Sequence, residues 1–253
     1  MIHRSLNRIA LAALAAPLAL ALSACGSGGS EDGAAVTGEP LEKIAPPDGK
    51  SWSEVIAKTE DLGMLMGNPG APIKLIEFAS LTCSHCADFA EKSKTELRET
   101  FVNSGRVSYE FRNYLRDPID LTAAQLTRCA APESFFALTE QVLLNQGAIL
   151  QKAQDAGEAA YQAAMEAPDD KRGQAIAQLT GLADFFAARG VSKDQSATCL
   201  ANATEAQALA KATQDATEDF SITGTPTFLL NGSKLDANTW PEIKAALEKA
   251  GAR

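Results

Sequence analysis

The feature that most constrains the fold is a cysteine pair that stands between a predicted buried strand and a predicted helix. The run 73–78 (IKLIEF) is short and mostly apolar, as in a strand covered on both faces, and turn-forming residues at 68–70 precede it. Cys83 and Cys86 follow, and from Cys86 onward apolar residues recur at helical spacing until a break at Gly105. This order places the first cysteine at the N-terminus of a helix.

A second strand is predicted directly after this helix, where apolar residues alternate over 107–111 (VSYEF). Strand, helix and strand in that order form a right-handed βαβ unit. From about Asp117 to Asp219 the pattern changes to alanine-rich helices, each with one apolar face. This stretch is therefore predicted to be an all-helical insertion.

The strand pattern resumes at 225–230 (TPTFLL), and the Asn231-Gly232 dipeptide that follows predicts a tight hairpin turn to a short answering strand. Thr239 and Glu242 have the spacing of a capping box at the start of a last helix. A βαβ half, a helical stretch and a ββα half predict an α/β protein. The expected architecture is a thioredoxin fold, a central mixed sheet flanked by helices, with an inserted all-helical domain.

The first 24 residues resemble an export signal, because basic Arg4 and Arg8 are followed by an apolar run that ends at Leu22. Residues 22–25 (LSAC) resemble the lipobox of bacterial lipoproteins, which predicts that the thiol of Cys25 carries a lipid. An ordinary secretory peptide and an uncleaved anchor helix are the alternatives. The apolar run is short for a membrane span, which needs about 20 such residues.

Composition divides the rest of the chain. Residues 26–50 are rich in Gly, Ser, Pro and acidic side chains and have little to bury, which is typical of a flexible tether. We predict five segments, which are a signal peptide at 1–24, a tether and lead-in at 25–61, a first thioredoxin-like part at 62–116, the helical insertion at 117–219, and a second thioredoxin-like part at 220–253.

The chain is acidic, with 32 Asp and Glu against 23 Lys and Arg and a formal net charge of −9. Phosphate binding requires clustered cations, so this balance argues against a nucleic-acid partner. Export would place the chain in an oxidising compartment, where disulfide bonds persist.

Two cysteines separated by two residues can form half of a zinc site, a structural disulfide or a redox pair. Zinc needs four ligands, and His85, which lies between the two cysteines, cannot readily join both in one tetrahedron. A structural bridge across so short a loop removes little entropy from the unfolded chain. The redox pair is the favoured interpretation, and it requires no metal and no other cofactor.

Each position of the motif has a physical reason in the redox interpretation. At the helix N-terminus the thiol of Cys83 meets unpaired N–H groups and the positive end of the helix dipole, which favour the thiolate. His85, in the same turn, is predicted to lower the pKa of Cys83 further. Cys86 lies on the apolar face and is predicted to be the protected, resolving sulfur.

Two further residues fit this scheme. Glu77 is a carboxylate in an apolar strand, where burial must be compensated. Proton handling near the buried sulfur and an ion pair with a neighbouring base both remain open for it. Pro226 cannot donate to a sheet ladder, so its place at the start of a strand suggests a cis peptide bond beside the site, with a trans turn proline as the alternative.

These residues together resemble the DsbA-like thioredoxin family. The resemblance covers about 62–251 and is carried by the Glu-Phe strand at 77–78, the Cys-x-His-Cys motif at 83–86, the helical insertion, and Gly-Thr-Pro-Thr at 224–227. Ser84 departs from the Pro-His dipeptide of the best-known oxidases.

The resemblance implies roles for individual residues. Cys83 would be the nucleophile that exchanges with substrate thiols, and Glu77 would be the buried acid. Pro226 would be the cis-proline that faces the pair, and Thr225 would shape redox poise and substrate contact.

Cys129 and Cys199 remain, both on predicted helices of the insertion. Because two cysteines are left without another role in an oxidising compartment, a structural disulfide between them is predicted, with two separate buried thiols as the alternative. Closing a loop of about 70 residues would stabilise the fold by about 4 kcal/mol in the chain-entropy argument.

The predicted function is to pass a disulfide to reduced exported polypeptides, as a monomer held by its lipid on the periplasmic side of the cell envelope. Gly26 and Ser27 are not the aspartate of an inner-membrane retention signal, which favours the outer membrane. Reoxidation by a DsbB-like membrane quinone reductase is implied by the resemblance.

Three other functions stay open. One is disulfide isomerisation or reduction, which the short, polar stretch 25–61 disfavours because it is too small for an isomerase dimerisation domain. Another is a lipid-anchored chaperone that binds polypeptides without redox turnover. Metal delivery is disfavoured because additional His or Met ligands near the pair are lacking.

Overall fold

A six-stranded mixed sheet forms the centre of the fold in the computed structural model, which describes residues 39–253. The strand order is β1-β2-β4-β3-β5-β6, with β3 and β4 parallel and the other neighbouring pairs antiparallel. The strands are β1 (Ile56–Lys58), β2 (Met64–Gly67), β3 (Ile73–Ala79), β4 (Val107–Asn113), β5 (Thr227–Leu230) and β6 (Ser233–Lys234). The predicted signal segment, Cys25 and the tether as far as residue 38 lie outside the described residues.

Nine α-helices occur in the described part of the chain. They are α1 (Ser84–Glu96), α2 (Pro118–Thr127), α3 (Phe135–Leu144), α4 (Gln146–Met165), α5 (Asp169–Leu179), α6 (Leu182–Ala187), α7 (Lys193–Leu200), α8 (Ala203–Phe220) and α9 (Trp240–Lys249). The helices α2 to α8 are the predicted insertion, and they belong to the same compact unit as the sheet. Within residues 39–253, no helix is long and apolar enough to span a membrane.

The central strand β3 is covered on both faces, which explains its nearly continuous apolar sequence. Leu75 and Ala79 share a core with Cys86 of α1, whereas Phe78 packs with Ala216 of α8 on the opposite face. Because side chains alternate along a strand, Glu77 faces the same side as Leu75 and Ala79. The sheet therefore places the carboxyl of Glu77 beneath α1.

The described fold begins before residue 62, where the first thioredoxin-like part was predicted to start. Trp52 is buried, and its indole N–H donates to the carbonyl of Ile44 at 2.8 Å. The backbone N–H of Leu41 donates to the carbonyl of Gly251 at 2.9 Å, and β1 and β2 extend the sheet at its edge. These two strands have only three and four residues, too few for a clear alternating pattern.

The C-terminal part follows its sequence signals closely. Asn231 and Gly232 both have positive φ, as the tight hairpin turn between β5 and β6 requires. At the start of α9, Thr239 and Glu242 form the predicted capping box. This part returns the chain to the sheet beside β3, where the residues that precede β5 reach the cysteine pair.

Candidate active site

Cys83 is the N-cap residue of α1, and Cys86 lies in the first turn of the same helix. An N-cap residue commonly satisfies the free N–H groups of the first turn with its side-chain oxygen. A sulfur occupies that position here. Both cysteines are free thiols and both are buried, Cys86 completely.

The first turn of α1 holds Cys83 as a thiolate. Hydrogen bonding from the Cys86 thiol, assisted by the Thr225 side chain and the backbone N–H groups of Cys86 and His85, lowers the pKa of Cys83 to about 4. Burial opposes this change but is outweighed. Cys83 is therefore a nucleophile and a good leaving group at neutral pH.

Cys86 has the opposite character. Burial raises the pKa of its thiol far above the ordinary value, and the hydrogen bond to Cys83 and the nearby negative charges of Glu77 and Cys83 add to the effect. The proton therefore stays on Cys86 while Cys83 carries the charge. One helical turn thus separates a reactive sulfur from a protected one.

His85 contributes differently from the prediction. Its side chain is exposed to solvent, and it is the backbone N–H of His85 that helps to lower the pKa of Cys83. Ser84, the preceding residue, is also exposed.

Thr225 and Pro226 lie directly against the nucleophile. The bond between them is cis, and the carbonyl oxygen of Thr225 lies 3.2 Å from the sulfur of Cys83, where it can accept a hydrogen bond when Cys83 is protonated. The Thr225 hydroxyl is buried and has no geometric hydrogen-bond partner among the described residues. Its proton is therefore free to turn toward the sulfur, in agreement with its lowering of the Cys83 pKa.

Glu77 is buried and accepts a hydrogen bond from the hydroxyl of Tyr109 on β4. Burial raises the pKa of Glu77 to about 8, the Tyr109 hydrogen bond partly opposes this rise, and the negative charge of Cys83 adds to it. No ion pair involves Glu77 within the described region, and the hydroxyl of Tyr109 is its hydrogen-bond partner, so the ion-pair alternative does not hold there. A carboxyl that exchanges its proton near neutral pH beneath Cys86 fits the proton-handling alternative.

Glu77→Gln is expected to make the stability of the oxidised protein less sensitive to pH. The pKa of this carboxyl rises from its ordinary value of 4.5 to about 8 in the reduced fold, mainly through burial, which the oxidised protein shares. Its contribution to stability is therefore present below about pH 4.5 and is lost as the pH rises through the raised pKa. Relative to wild type, the variant should gain at least about 2 kcal/mol in free energy of unfolding between about pH 4 and 9. Urea denaturation at several pH values measures this difference.

Oxidised protein is needed for this comparison because the titration of Cys83 would otherwise act in the opposite direction. Glu91→Gln, at an exposed position of α1, is the matched control and should follow the wild-type curve. Parallel curves for wild type and Glu77→Gln would show that the buried carboxyl does not titrate in this range.

The segment that links β3 to Cys83 is held by residues that the sequence analysis missed. Asp120 of α2 and Gln146 of α4 bind its backbone, and the hydroxyl of Thr82 donates to Asp117 at 2.6 Å. These residues lie 35 to 65 positions from the segment along the chain, so no local spacing connects them with the motif. The sequence contains only a weak indication that Tyr109 contacts Glu77: Tyr109 lies on the inward face of the predicted strand 107–111, which neighbours the strand of Glu77.

The remaining two predicted site cysteines are joined. Cys129 and Cys199 form a disulfide with their Cα atoms 5.8 Å apart. Cys199 lies in α7, but Cys129 lies two residues beyond the end of α2 rather than on a helix. Among residues 39–253, no group of three or more His, Cys, Asp or Glu side chains is arranged to hold a metal ion.

A thioredoxin fold with an activated cysteine at a helix N-terminus, a buried partner thiol and a cis-proline against them defines a class, the thioredoxin-like thiol-disulfide oxidoreductases. A family model described as Thioredoxin matches residues 59–249, and the chain belongs to this family. The chain is a thioredoxin-like protein-disulfide oxidoreductase. The predicted fold and family are thereby confirmed.

Related sequences occur in Rickettsia. A protein of Rickettsia bellii (strain RML369-C), provisionally named a protein-disulfide oxidoreductase, is 24% identical over 217 residues, which are 86% of this chain and 75% of that protein. A Rickettsia conorii protein with the same provisional name is 24% identical over 197 residues, which are 78% of this chain and 63% of that protein.

Solved structures with the same fold include a protein-disulfide isomerase from Novosphingobium aromaticivorans. It has a TM-score of 0.69 and 35% identity, over 73% of this chain and 97% of that one. The structure of alpha-DsbA1 from Wolbachia pipientis has a TM-score of 0.58 and 23% identity, over 74% of this chain and 89% of that one, a likeness that shows the fold alone.

Proposed function

We propose that this oxidoreductase introduces disulfide bonds into exported polypeptides through Cys83 and Cys86. The observation that carries the proposal is the position of the Cys83 sulfur, at the N-cap of α1 and 3.2 Å from the carbonyl oxygen of Thr225, where hydrogen bonds in the first turn lower its pKa to about 4. A stabilised thiolate favours the reduced form of the pair, and the disulfide form is therefore a strong oxidant.

The reaction begins with the disulfide form of the pair. A substrate thiolate attacks the sulfur of Cys83, the bond to Cys86 breaks, and Cys86 leaves and takes up a proton. The neutral carboxyl of Glu77 is the nearby proton source. A second substrate thiolate then attacks the substrate sulfur of the mixed disulfide, and Cys83 leaves as a stable thiolate. Two electrons have passed from the substrate to the pair, and the substrate holds a new disulfide.

The reduction potential of the Cys83–Cys86 couple tests the proposed direction. We expect a value between about −120 and −180 mV from equilibration with glutathione buffers, because strong oxidases and thioredoxin-type reductases lie near about −120 and −270 mV respectively. Mass spectrometry after acid quenching gives the oxidised fraction. Cys86→Ser, which cannot close the ring, is the control, and a value near that of thioredoxin would contradict the oxidase proposal.

Disulfide isomerisation is the second candidate. It is favoured by the similarity to the solved protein-disulfide isomerase from Novosphingobium aromaticivorans. The same reduced thiolate would serve an isomerase, which starts its cycle by attacking a wrong substrate disulfide. The two functions are separated by comparing the rates at which equal amounts of enzyme refold a substrate with scrambled disulfides and a fully reduced substrate. The oxidase proposal expects the reduced substrate to refold faster.

The proposed location is the periplasmic side of the cell envelope, where a lipid on Cys25 would hold the protein, in the outer rather than the inner membrane. The export-signal pattern of 1–24 and the lipobox-like residues 22–25 support it. The protein is proposed to act as a monomer. A DsbB-like membrane quinone reductase would reoxidise the cysteine pair and pass the two electrons on to the quinone pool.

A further inference from the structure

The backbone on either side of the nucleophile is held by the helical insertion. The side-chain amide of Gln146, buried at the start of α4, donates to the carbonyl oxygen of Leu81 at 2.8 Å and to that of Cys83 at 3.0 Å. Both hydrogen bonds are buried. One side chain of the insertion thus fixes two peptide groups of the segment that carries the reactive sulfur.

A second insertion residue holds the other side of the same segment. Asp120 of α2 is completely buried, and its carboxyl accepts from the N–H of Leu81 at 2.8 Å and from the N–H of Arg116 at 3.0 Å. The N–H of Leu81 therefore donates to Asp120, and the carbonyl oxygen of Leu81 accepts from Gln146. Two helices of the insertion thus hold Leu81 through both of its backbone polar groups.

The position of these contacts matters because α1 holds its N-cap residue only through the carbonyl group. Cys83 has extended backbone angles, φ −94° and ψ 120°, and its carbonyl accepts the first helical bond from Ala87 at 3.1 Å. Rotation about these angles swings the sulfur away from the N–H groups of the first turn. A donor to the Cys83 carbonyl and a restraint on Leu81 oppose that rotation.

We propose that Gln146 and Asp120 are positioning residues for the redox reaction, through which the helical insertion holds the sulfur of Cys83 against the N–H groups of α1 and so sets the oxidising strength of the pair. This inference rests on the proposed function only in taking Cys83 as the nucleophile. Neither residue contacts a reacting atom, so their effect passes through the backbone of Leu81 and Cys83.

Gln146→Met tests the proposal most cleanly. Methionine has a similar length and no branch, so it fills the same space, but it donates no hydrogen bond. We expect the pKa of Cys83 to rise by about one unit and the equilibrium constant for oxidising glutathione to fall about tenfold, which is about 30 mV. The ultraviolet absorbance of the thiolate gives the pKa, and equilibration with glutathione buffers gives the constant.

Gln151→Met is the matched control, because Gln151 lies on the same helix but is exposed and bonds only to Asp155, at 2.8 Å. It should leave both quantities at their wild-type values. Asp120→Ala is the second variant, made on the other helix, and it should also raise the pKa of Cys83. Because burial raises the pKa of Asp120 to about 7, this carboxyl is neutral in the range where Cys83 titrates, so loss of charge does not confuse that comparison.

A merely structural role would give a different result. If both variants fold and melt at a lower temperature but keep the wild-type Cys83 pKa and equilibrium constant, the proposal is overturned. If Gln146→Met does not fold, the pKa of Cys83 in Asp120→Ala decides in the same way. Failure of the proposed function would be seen separately, as a wild-type protein whose Cys83 and Cys86 do not equilibrate with glutathione at all.

Discussion

Cys83→Ser is expected to abolish disulfide transfer, with the rate falling by more than about a thousandfold to the uncatalysed background. Among residues 39–253, only Cys83 combines a lowered pKa, to about 4, with a position against the cis-proline loop. Cys86, buried and held protonated by its raised pKa, cannot replace it, and a serine hydroxyl does not form disulfides. The rate of oxidative refolding of a reduced substrate protein measures the loss.

Glu91→Ala is the control, since Glu91 is exposed further along the same helix, outside the cysteine motif, and its replacement should leave turnover within about twofold. Binding of an unfolded polypeptide should be retained by both variants. If Cys83→Ser keeps the refolding activity of wild type, the protein acts as a polypeptide-binding chaperone rather than through thiol exchange. That result would remove the basis of the proposed function and of the inference about Gln146.

Replacement of both Cys129 and Cys199 by alanine is expected to lower the free energy of unfolding by about 4 kcal/mol. The disulfide closes a loop with a sequence separation of 70 residues and connects the end of α2 to α7. Opening it increases the conformational freedom of the unfolded chain, whereas both sulfurs lie at half-buried positions where alanine leaves little empty space. Urea denaturation of the two oxidised proteins gives the difference.

Cys83→Ala/Cys86→Ala is the control for this experiment because it also removes two sulfurs, but its ring spans only three residues. It should change the free energy of unfolding by much less than the double replacement in the insertion. A loss below about 1 kcal/mol in the Cys129→Ala/Cys199→Ala variant would contradict a stabilising role. A large loss with unchanged refolding activity at low temperature would separate that role from the redox chemistry.

The elements that the sequence predicted correctly are those with a strong local pattern. β3 and β4 were recognised by their apolar residues, α1 by helical spacing, and the β5–β6 hairpin by Asn231-Gly232. β1 and β2 were missed because three or four residues cannot show a period. The burial of Trp52 was missed for a related reason, since a single aromatic residue in a polar stretch has no periodic neighbours.

The sequence by itself determined the chemistry of the pair: two thiols one helical turn apart after a buried strand, with a carboxyl in that strand and a threonine-proline pair before another. These features depend on residues close together in the chain or on one recognisable pattern. Only the tertiary structure decided which groups surround the sulfurs. Tyr109 reaches Glu77 from a neighbouring strand, and Asp120 and Gln146 reach the Cys83 segment from helices that are distant in sequence. Such contacts depend on how the helices pack against the sheet, and the spacing of residues along one chain does not encode that packing in a form that can be read locally.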